Sequence, residues 1–528
     1  MSLKQGPGGS DVDEKLAALL TNANAVRAIA SAVEGTIGPK GLDTMLVDRF
    51  GEVIITNDGI TILTKMDVNH PAARMVINTA RAQEEEVGDG TTTTTIMAAA
   101  LLSEGVTHAI KGVPVTRIIE GIRIAIKRAL ELMEEKARPL NGLDDAMLKR
   151  VAYIAGRERE DIADLVIAAA RMIGEEKLKD EAFKLSDTIL AEEGASNEVF
   201  MGVIICKERL SKQMPERVEK ARLLIVDDAL EPEQMEEEAL GTEAGFSRYM
   251  ELQEDFKRNI QKLTQMGINV ILVDRGVHDT AEELLTDAGV MVVERVASDD
   301  LRRAAEHTGA RPIKRTSLRK EPEEIEKCVG TADLVYEDEK LGHIRIVGGK
   351  GKPMATILVG AATEEVVGER ERIAKDAASA VQAAVKGGIV PGGGAIEIAV
   401  ARELEKLRGG MKGMAAYGAA CVIEALKKPL AQIVANAGFN QLEKVGDVIA
   451  AQAERSSDSL AIDCETGNVE DMYELGVVDP KLVKTHALRA AGEIAEAILR
   501  IDTIIKKKDE GSGTEQQAQQ GAASDEEF

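Results

Sequence analysis

The sequence predicts an α+β multidomain fold in which two mainly helical end segments pair into one domain and carry an inserted α/β domain. Three observations lead there. Glycine-rich turns of one chemical kind lie near both ends of the chain, within roughly residues 36 to 95 and 376 to 484. The texture changes near Val199, where short β-rich runs begin to alternate with helical patterns. A chain of 528 residues also exceeds what one core organises, since single cores stop growing near roughly 250 to 300 residues.

Taken in order, Val12 to Val33 carries apolar residues at helical spacing and ends in the tight loop GTIGPKG. Glu52–Thr56 and Ile60–Leu63 are β-branched runs separated by Asn57, Asp58 and Gly59, which reads as a hairpin with Asp58 as a turn former. Helices are expected from Pro71 to Glu86 and from Thr91 to Glu135, the latter punctuated by Gly112 and Pro114. Pro139 to Gly142 breaks the chain, and charged helices resume from Asp144 to Gly174.

In the middle, FMGVIIC, RLLIVDD, INVILVD and VMVVERV read as strands of an α/β unit. Acidic residues crowd Glu231 to Glu238, and Tyr249, Leu252, Phe256, Ile260 and Leu263 then form one apolar helical stripe. That stripe suits either packing on its own domain or a protruding element that meets partners. ATILVG returns as a strand, and a helix from Glu364 to Lys386 has the apolar face Ile373, Ala377, Ala380 and Ala384. Asp376 falls on that same side, where a carboxylate calls for a reason. The loop GGIVPGGGA (387–395), an Ala-rich helical stretch to Val448, the hairpin-like IDCETGNVEDM and a last helix from Lys481 to Ile505 complete the pattern. The tail from Lys506 has a disordered composition.

Composition excludes several classes. Apolar residues make up 44% and charged residues 30%, a soluble globular profile, and with no Trp the cores must be built from Ala, Val, Ile, Leu and Met. A net charge of -25 argues against nucleic-acid binding, which needs clustered Lys and Arg. No uncharged run is long enough to span a membrane, and the start MSLKQGPGGSD lacks the apolar stretch of a signal peptide, so a cytoplasmic location is expected. Cys206, Cys328, Cys421 and Cys464 show no CxxC spacing, and the six histidines are scattered, so neither a zinc site nor a disulfide framework is expected.

The chemistry concentrates in VGDGTTTTTIMAAA (87–100). Gly88 and Gly90 permit close backbone approach, and the free amides of the following helix favour an anion, as a phosphate site requires. Asp89 would hold a hard cation such as Mg2+ against phosphates, with Thr91, Thr92 and Thr93 donating to phosphate oxygens. A threonine-capped surface helix is the alternative on these residues alone. Neither a Rossmann fingerprint nor a Walker motif is present.

Together, GPKG (38–41), ITNDGITIL (55–63), HPAA (70–73), EVGDGTTT (86–93), GGIVPGGGAIE (387–397) and DMYELGVVDP (471–480) resemble the chaperonin family, most closely its group II, thermosome-type branch. The resemblance runs from about residue 20 to 505. It implies an equatorial ATPase domain (1–139 and 385–528), an intermediate domain (140–206 and 349–384) and an apical substrate-binding domain (207–348). It also assigns about 240–266 as a helical protrusion serving as a built-in lid, so that no separate co-chaperonin is needed.

Carried over residue by residue, the resemblance makes Asp89 the Mg2+ ligand and Gly90, Thr91, Thr92, Thr93, Thr36, Ile37, Gly38 and Pro39 the phosphate contacts, with Gly59 in the same nucleotide-binding set. Gly393, Asp479 and Lys484 become nucleoside contacts, and Asp58 and Asp376 the two aspartates of ATP hydrolysis. A carboxylate can orient an attacking water in line with the terminal phosphate, which agrees with those roles. The implied cofactors are ATP and Mg2+, with K+ a candidate beside them. The implied partners are unfolded or partly folded proteins and further copies of the chain in two stacked eight-member rings. One departure stands out. The segment Arg150 to Glu176 holds no lysine where group II chaperonins usually carry a phosphate sensor; either Arg157 or Arg159 substitutes for it, or the coupling between hydrolysis and closure differs in this chain. With five consecutive threonines, this points to the bacterial branch sometimes called group III. The competing classes are an ATP-binding ring scaffold without folding activity and a small-substrate enzyme, which would need a His-, Lys- or Cys-rich pocket near the phosphates.

Overall fold

The computed structural model describes residues 10–51, 53–233 and 243–503. The glycine-rich start, Glu52, the acidic run beyond Glu233, positions 240–242 of the expected protrusion and the tail lie outside the described residues.

Helices from both ends of the chain build one core. Val26, Leu101, Ile118 and Ile122 from the first segment pack with Val400, Val422, Leu426, Leu488 and Ile498 from the last. The Ala-rich composition explains how closely these helices approach. Where Val115–Lys136 crosses Ala415–Asn436, a Cβ on Gly121 would lie 1.9 Å from the Ala415 carbonyl oxygen, and one on Gly418 only 2.0 Å from that of Ile118. The two backbones therefore touch directly.

A second core lies beside the first. The helices Ala146–Ala155 and Glu160–Ile173 contribute Leu148, Val166 and Ile167, and the helix Glu364–Gly387 contributes Ile373, Ala377, Ala380 and Val381. This is the face expected for that helix.

The inserted part is an eight-stranded mixed sheet. Its strands are β3 (Ile189–Glu193), β4 (Glu198–Ile205), β5 (Arg217–Val226), β6 (Val270–Val273), β7 (Met291–Val293), β8 (Gly330–Asp338), β9 (His343–Gly349) and β10 (Ala355–Ala361), in the order β3-β10-β4-β9-β8-β5-β6-β7. Strands β5, β6 and β7 run parallel, as do β3 and β10, and the central pairs are antiparallel. The two-residue period places Leu223, Ile225, Val270 and Leu272 on one face, under the helix Ser298–Thr308. Leu224, Val226, Ile271 and Val273 face the other way, under Glu243–Gln265 and Asp279–Asp287.

The apolar stripe of the helix Glu243–Gln265 divides. Phe256, Ile260 and Leu263 are buried in the sheet's core and Leu252 is buried as well, whereas Tyr249 is partly exposed, as are Phe246 and Met250 near the helix start.

One expectation fails. Ile60–Leu63 is not a strand but part of the helix Gly59–Lys65, because the Asp58 carboxylate accepts the amides of Ile60 and Thr61 at 3.3 and 3.1 Å and so caps a helix rather than closing a hairpin turn. Ile62 and Leu63 are then buried on one helical face against Ile29, Val33 and Ile77. The strand β2 (Val53–Thr56) pairs instead with β1 (Thr44–Val47), across the turn at Asp48–Gly51. The hairpin at IDCETGNVEDM does form, as β12 (Leu460–Ile462) with β13 (Val469–Asp471).

The helix crossing gives a test. Gly418→Ala should destabilise the fold by about 1 to 3 kcal/mol through overpacking, seen as a lower melting temperature. Gly409→Ala, at an exposed helical glycine with open space around it, should be neutral or stabilising. Equal melting of the two variants would refute the backbone contact at residue 418.

Candidate functional site

The glycine–threonine stretch folds as the sequence suggests. Gly88 ends the helix Pro71–Val87 and Gly90 opens Thr91–Ile110, both in the left-handed region that suits glycine, with φ of 66° and 84°. No side chain caps the second helix, so its first amides stay available. Thr94 and Thr95 spend their hydroxyls on carbonyls one turn back, at 2.9 Å each. Thr91 and Thr92 face Gly59, where a Cβ would lie 3.0 and 2.3 Å from their hydroxyl oxygens. Two helix N-termini therefore meet side by side, and Asp58 sits at the mouth of one of them. Its Oδ2 also accepts the Thr61 hydroxyl at 2.5 Å.

The turn is pressed from two sides. A Cβ on Gly88 would lie 2.2 Å from Ser379 Oγ, one helical turn beyond Asp376, and one on Gly90 would meet Val483 at 2.8 Å. Gln83 ties the turn to the last helix. This buried side chain donates to the carbonyl of Asp89 at 2.8 Å and to that of Val483 at 3.3 Å, and accepts from His486 Nδ1 at 2.5 Å.

Carboxylates collect around this seam. Burial, with Asp58 and Asp89 adding to it, pushes Glu84 up to about 7. Burial and then Asp479 push Asp89 up to about 6, against the Gly90 amide, which donates to its Oδ1 at 2.5 Å, and against Lys484 and Arg157. Asp376 is held well above the carboxylate range by burial and then by Glu84, Asp89 and Asp58, with Arg157 opposing. Arg157 NH2 lies 3.8 Å from Asp376 Oδ2, and the same guanidinium donates to Glu369. Arg157 and Glu158 both take positive φ, 52° and 60°, a conformation costing about 1 to 3 kcal/mol for each non-glycine residue.

On the far side, β11 (Ile389–Pro391) pairs antiparallel with β14 (Val478–Pro480), setting Val390 opposite Asp479. A Cβ on Gly392 would lie 3.1 Å from Asp479 Oδ2, and one on Gly393 3.1 Å from Met472 Sδ. Lys484 reaches Asp479 at 2.8 Å and Glu397 at 2.9 Å. Burial works against its charge, but the two carboxylates outweigh it and hold the ammonium above its usual range. Thr36–Pro39 stands at another edge. The Thr36 hydroxyl donates to Val33, Asn436 donates to the carbonyls of Glu34 and Ile37 at 2.9 Å each, and this loop touches the helix Thr91–Ile110. The Thr36 hydroxyl and the Ile37 carbonyl are thus already hydrogen-bonded within the protein.

Sequence reasoning missed Gln83, Glu84 and Glu397. Glu397 lies inside GGIVPGGGAIE, and its burial in a helix's first turn is a signal only once Lys484 is known to face it. Glu84 and Gln83 look like any helical surface residues. Among the described residues no three His, Cys, Asp or Glu side chains converge to hold a metal by themselves. Nor is any described helix long and apolar enough to cross a membrane. The uncapped amides at the start of Thr91–Ile110 favour an anion, and the surrounding carboxylates favour a cation. A phosphate group with its metal satisfies both.

The helical body formed by both chain ends, the carried mixed sheet and the seam site define a multidomain chaperonin fold. A profile of the TCP-1/cpn60 chaperonin family matches residues 29–509, and the chain belongs to that family. It is similar to thermosome subunit beta of Archaeoglobus fulgidus, 38% identical over 520 residues covering 94% of this chain and 93% of that protein. The thermosome subunit of Methanopyrus kandleri is 35% identical over 509 residues, covering 92% of each. A solved structure described as a group III chaperonin in the open state matches with a TM-score of 0.87 and 48% identity, over 94% of this chain and 100% of that one.

The raised carboxylates make a pH test. Glu84 moves from 4.5 to about 7 on folding, so its contribution to stability is full below about 4.5 and lost as pH rises through 7. Without nucleotide, Glu84→Gln should melt close to the native chain at pH 5 and several degrees higher at pH 8. A difference independent of pH would refute the crowding.

Proposed function

We propose that this chaperonin is an ATP-driven folding machine whose nucleotide site is the seam described above. The observation that carries the reading is the convergence of Asp58, Asp89 and Asp376 on two helix N-termini from three separate elements. Gly90, Thr91, Thr92, Thr93, Gly59 and the Thr36–Pro39 backbone would bind the phosphates through amides and hydroxyls. Asp89 would hold Mg2+, which draws charge from the phosphate oxygens. The donor set fits that ion, since one carboxylate oxygen leaves the remaining positions for phosphate and water. Gly393 would let the nucleoside approach β11 and β14, while Lys484, clamped by Glu397, orients Asp479 toward it. Asp58 and Asp376 would position the attacking water and accept its proton.

In this reading residues 1–139 and 385–528 form the equatorial ATPase domain, 140–206 and 349–384 the intermediate domain, and 207–348 the apical domain. The exposed Phe246, Tyr249 and Met250 at the start of the helix Glu243–Gln265 support a lid, since apolar side chains left open there suit contact with neighbouring lids or a non-native chain. Two stacked eight-member rings in the cytoplasm would enclose the substrate protein.

Asp376→Ala tests the assignment. ATP should still bind, but hydrolysis should fall at least about 100-fold and ATP-dependent refolding of a denatured protein should stop. Fast hydrolysis in this variant would refute the role of Asp376. Light scattering should give a particle near sixteen times 56.6 kDa. Refolding without any dependence on ATP, or none at all, would favour the scaffold.

A further inference from the structure

We propose that Gln83 is a positioning residue for the metal: through the Asp89–Gly90 peptide it decides which oxygen of the Asp89 carboxylate meets the cation that accompanies the phosphates. This rests on the nucleotide reading of the site. Gln83 is itself buried and acts through the backbone.

The side chain is fixed before any ligand arrives. Gln83 lies on the inner face of the helix Pro71–Val87, and its Nε2 is within hydrogen-bond reach of two carbonyl oxygens, those of Asp89 at 2.8 Å and Val483 at 3.3 Å. Carbonyl oxygens only accept, so both amide protons are spent there, and the reversed amide would set oxygen against oxygen twice. Oε1 must then accept. His486 Nδ1, at 2.5 Å, supplies the proton, which assigns this ring its Nδ1–H tautomer. Both donors and the acceptor of the amide are thus in use, as a buried polar group requires.

The consequence passes through one peptide unit. The carbonyl of Asp89 and the N–H of Gly90 share a plane and point in opposite directions. Holding the carbonyl on Gln83 therefore aims the N–H the other way, where it donates to Asp89 Oδ1 at 2.5 Å. Among the described residues no donor reaches Oδ2, so this is the oxygen left for a cation. Without Gln83 the peptide is free to turn, since Gly90 has a φ of 84° and no Cβ to resist rotation. The carbonyl would then face the anion site, and the carboxylate would lose its donor.

Packing seats the turn on the residue that orients it. A Cβ on Gly90 would lie 3.0 Å from Gln83 Nε2 and 2.8 Å from Val483. Val483 belongs to the helix Lys481–Leu499 and directly precedes Lys484, which is held by Asp479 and Glu397. One buried amide therefore joins the metal-binding turn to the helix on the nucleoside side. Residues that hold a metal ligand in place in this way typically set metal affinity by about 10- to 100-fold.

The test reads the metal and not turnover. ADP affinity of the intact oligomer is measured by calorimetry with EDTA and with saturating Mg2+, and the ratio of the two is the gain due to the metal. Mn2+ in place of Mg2+ allows the same comparison by electron paramagnetic resonance of the bound ion. Gln83→Met keeps the length of the side chain but donates nothing. It should cut the gain about tenfold while metal-free ADP affinity stays within about twofold. His486→Phe, which leaves both carbonyl bonds in place, should change the gain by less than about threefold. Gln83→Asn, polar but too short to span both carbonyls, should behave as Gln83→Met, and it decides the matter if that variant fails to assemble. An unchanged gain in an assembled Gln83 variant, or equal loss of metal-free and metal-bound ADP, overturns the role of Gln83. A native chain that binds no ADP overturns the site reading itself.

Discussion

The contact on which the rest of the molecule depends is the backbone crossing of Val115–Lys136 with Ala415–Asn436. Only glycine at 121 and 418 lets these helices approach, since either Cβ would collide with a carbonyl of the partner helix. That approach closes one core around segments from opposite ends of the chain. It also fixes the helix Lys481–Leu499 next to Thr91–Ile110. The uncapped amides and the Asp479–Lys484–Glu397 group consequently face a common seam. A larger residue at the crossing would separate the two halves of the site before it touched any ligand.

The seam is arranged against its own stability. Burial raises Glu84, Asp89 and Asp376; Asp58 and Asp89 add to the effect on Glu84, Asp479 to that on Asp89, and Glu84, Asp89 and Asp58 to that on Asp376. Such crowding is tolerated because the rest of the structure is over-determined there. Gln83 locks the Asp89 turn to Val483 and His486 with three hydrogen bonds, and Gly88 is wedged against Ser379. In the proposed reading this unfavourable charge would favour a cation, whose binding would relieve repulsion already built into the fold.

The inserted sheet is joined firmly to the second core. Strand β3 pairs with β10, and a buried polar group stitches four strands together. His343 on β9 meets Glu192 on β3 at 2.9 Å and accepts from Arg345 at 2.9 Å, while Arg345 reaches Glu198 on β4 and Asp338 on β8 at 2.8 and 3.0 Å. Arg345 also lies over the rings of Phe200 and Tyr336. These contacts couple β3 and β10 to β4, β8 and β9 through buried charge as well as backbone pairing.

Much of this was legible locally. The helices at Pro71–Val87, Thr91–Ile110 and Glu364–Gly387, the strands of the middle region and the glycine turn at Gly88–Gly90 follow from periodicity and from backbone freedom that only glycine has. The run Ile60–Leu63 did not, because four β-branched or apolar residues satisfy strand and helix patterns alike. The choice fell to Asp58 as a cap and to a buried helical face for Ile62 and Leu63. Asp376 was visible as a misplaced carboxylate, but its neighbours were not. Glu84, Gln83, Glu397 and the Arg157–Glu369 pair acquire meaning only from residues distant in sequence. Sequence alone determined which segments bend, cap and bury, since those preferences act over a few residues. Tertiary structure decided which charges share one seam, because electrostatic and packing partners are set by distance in space.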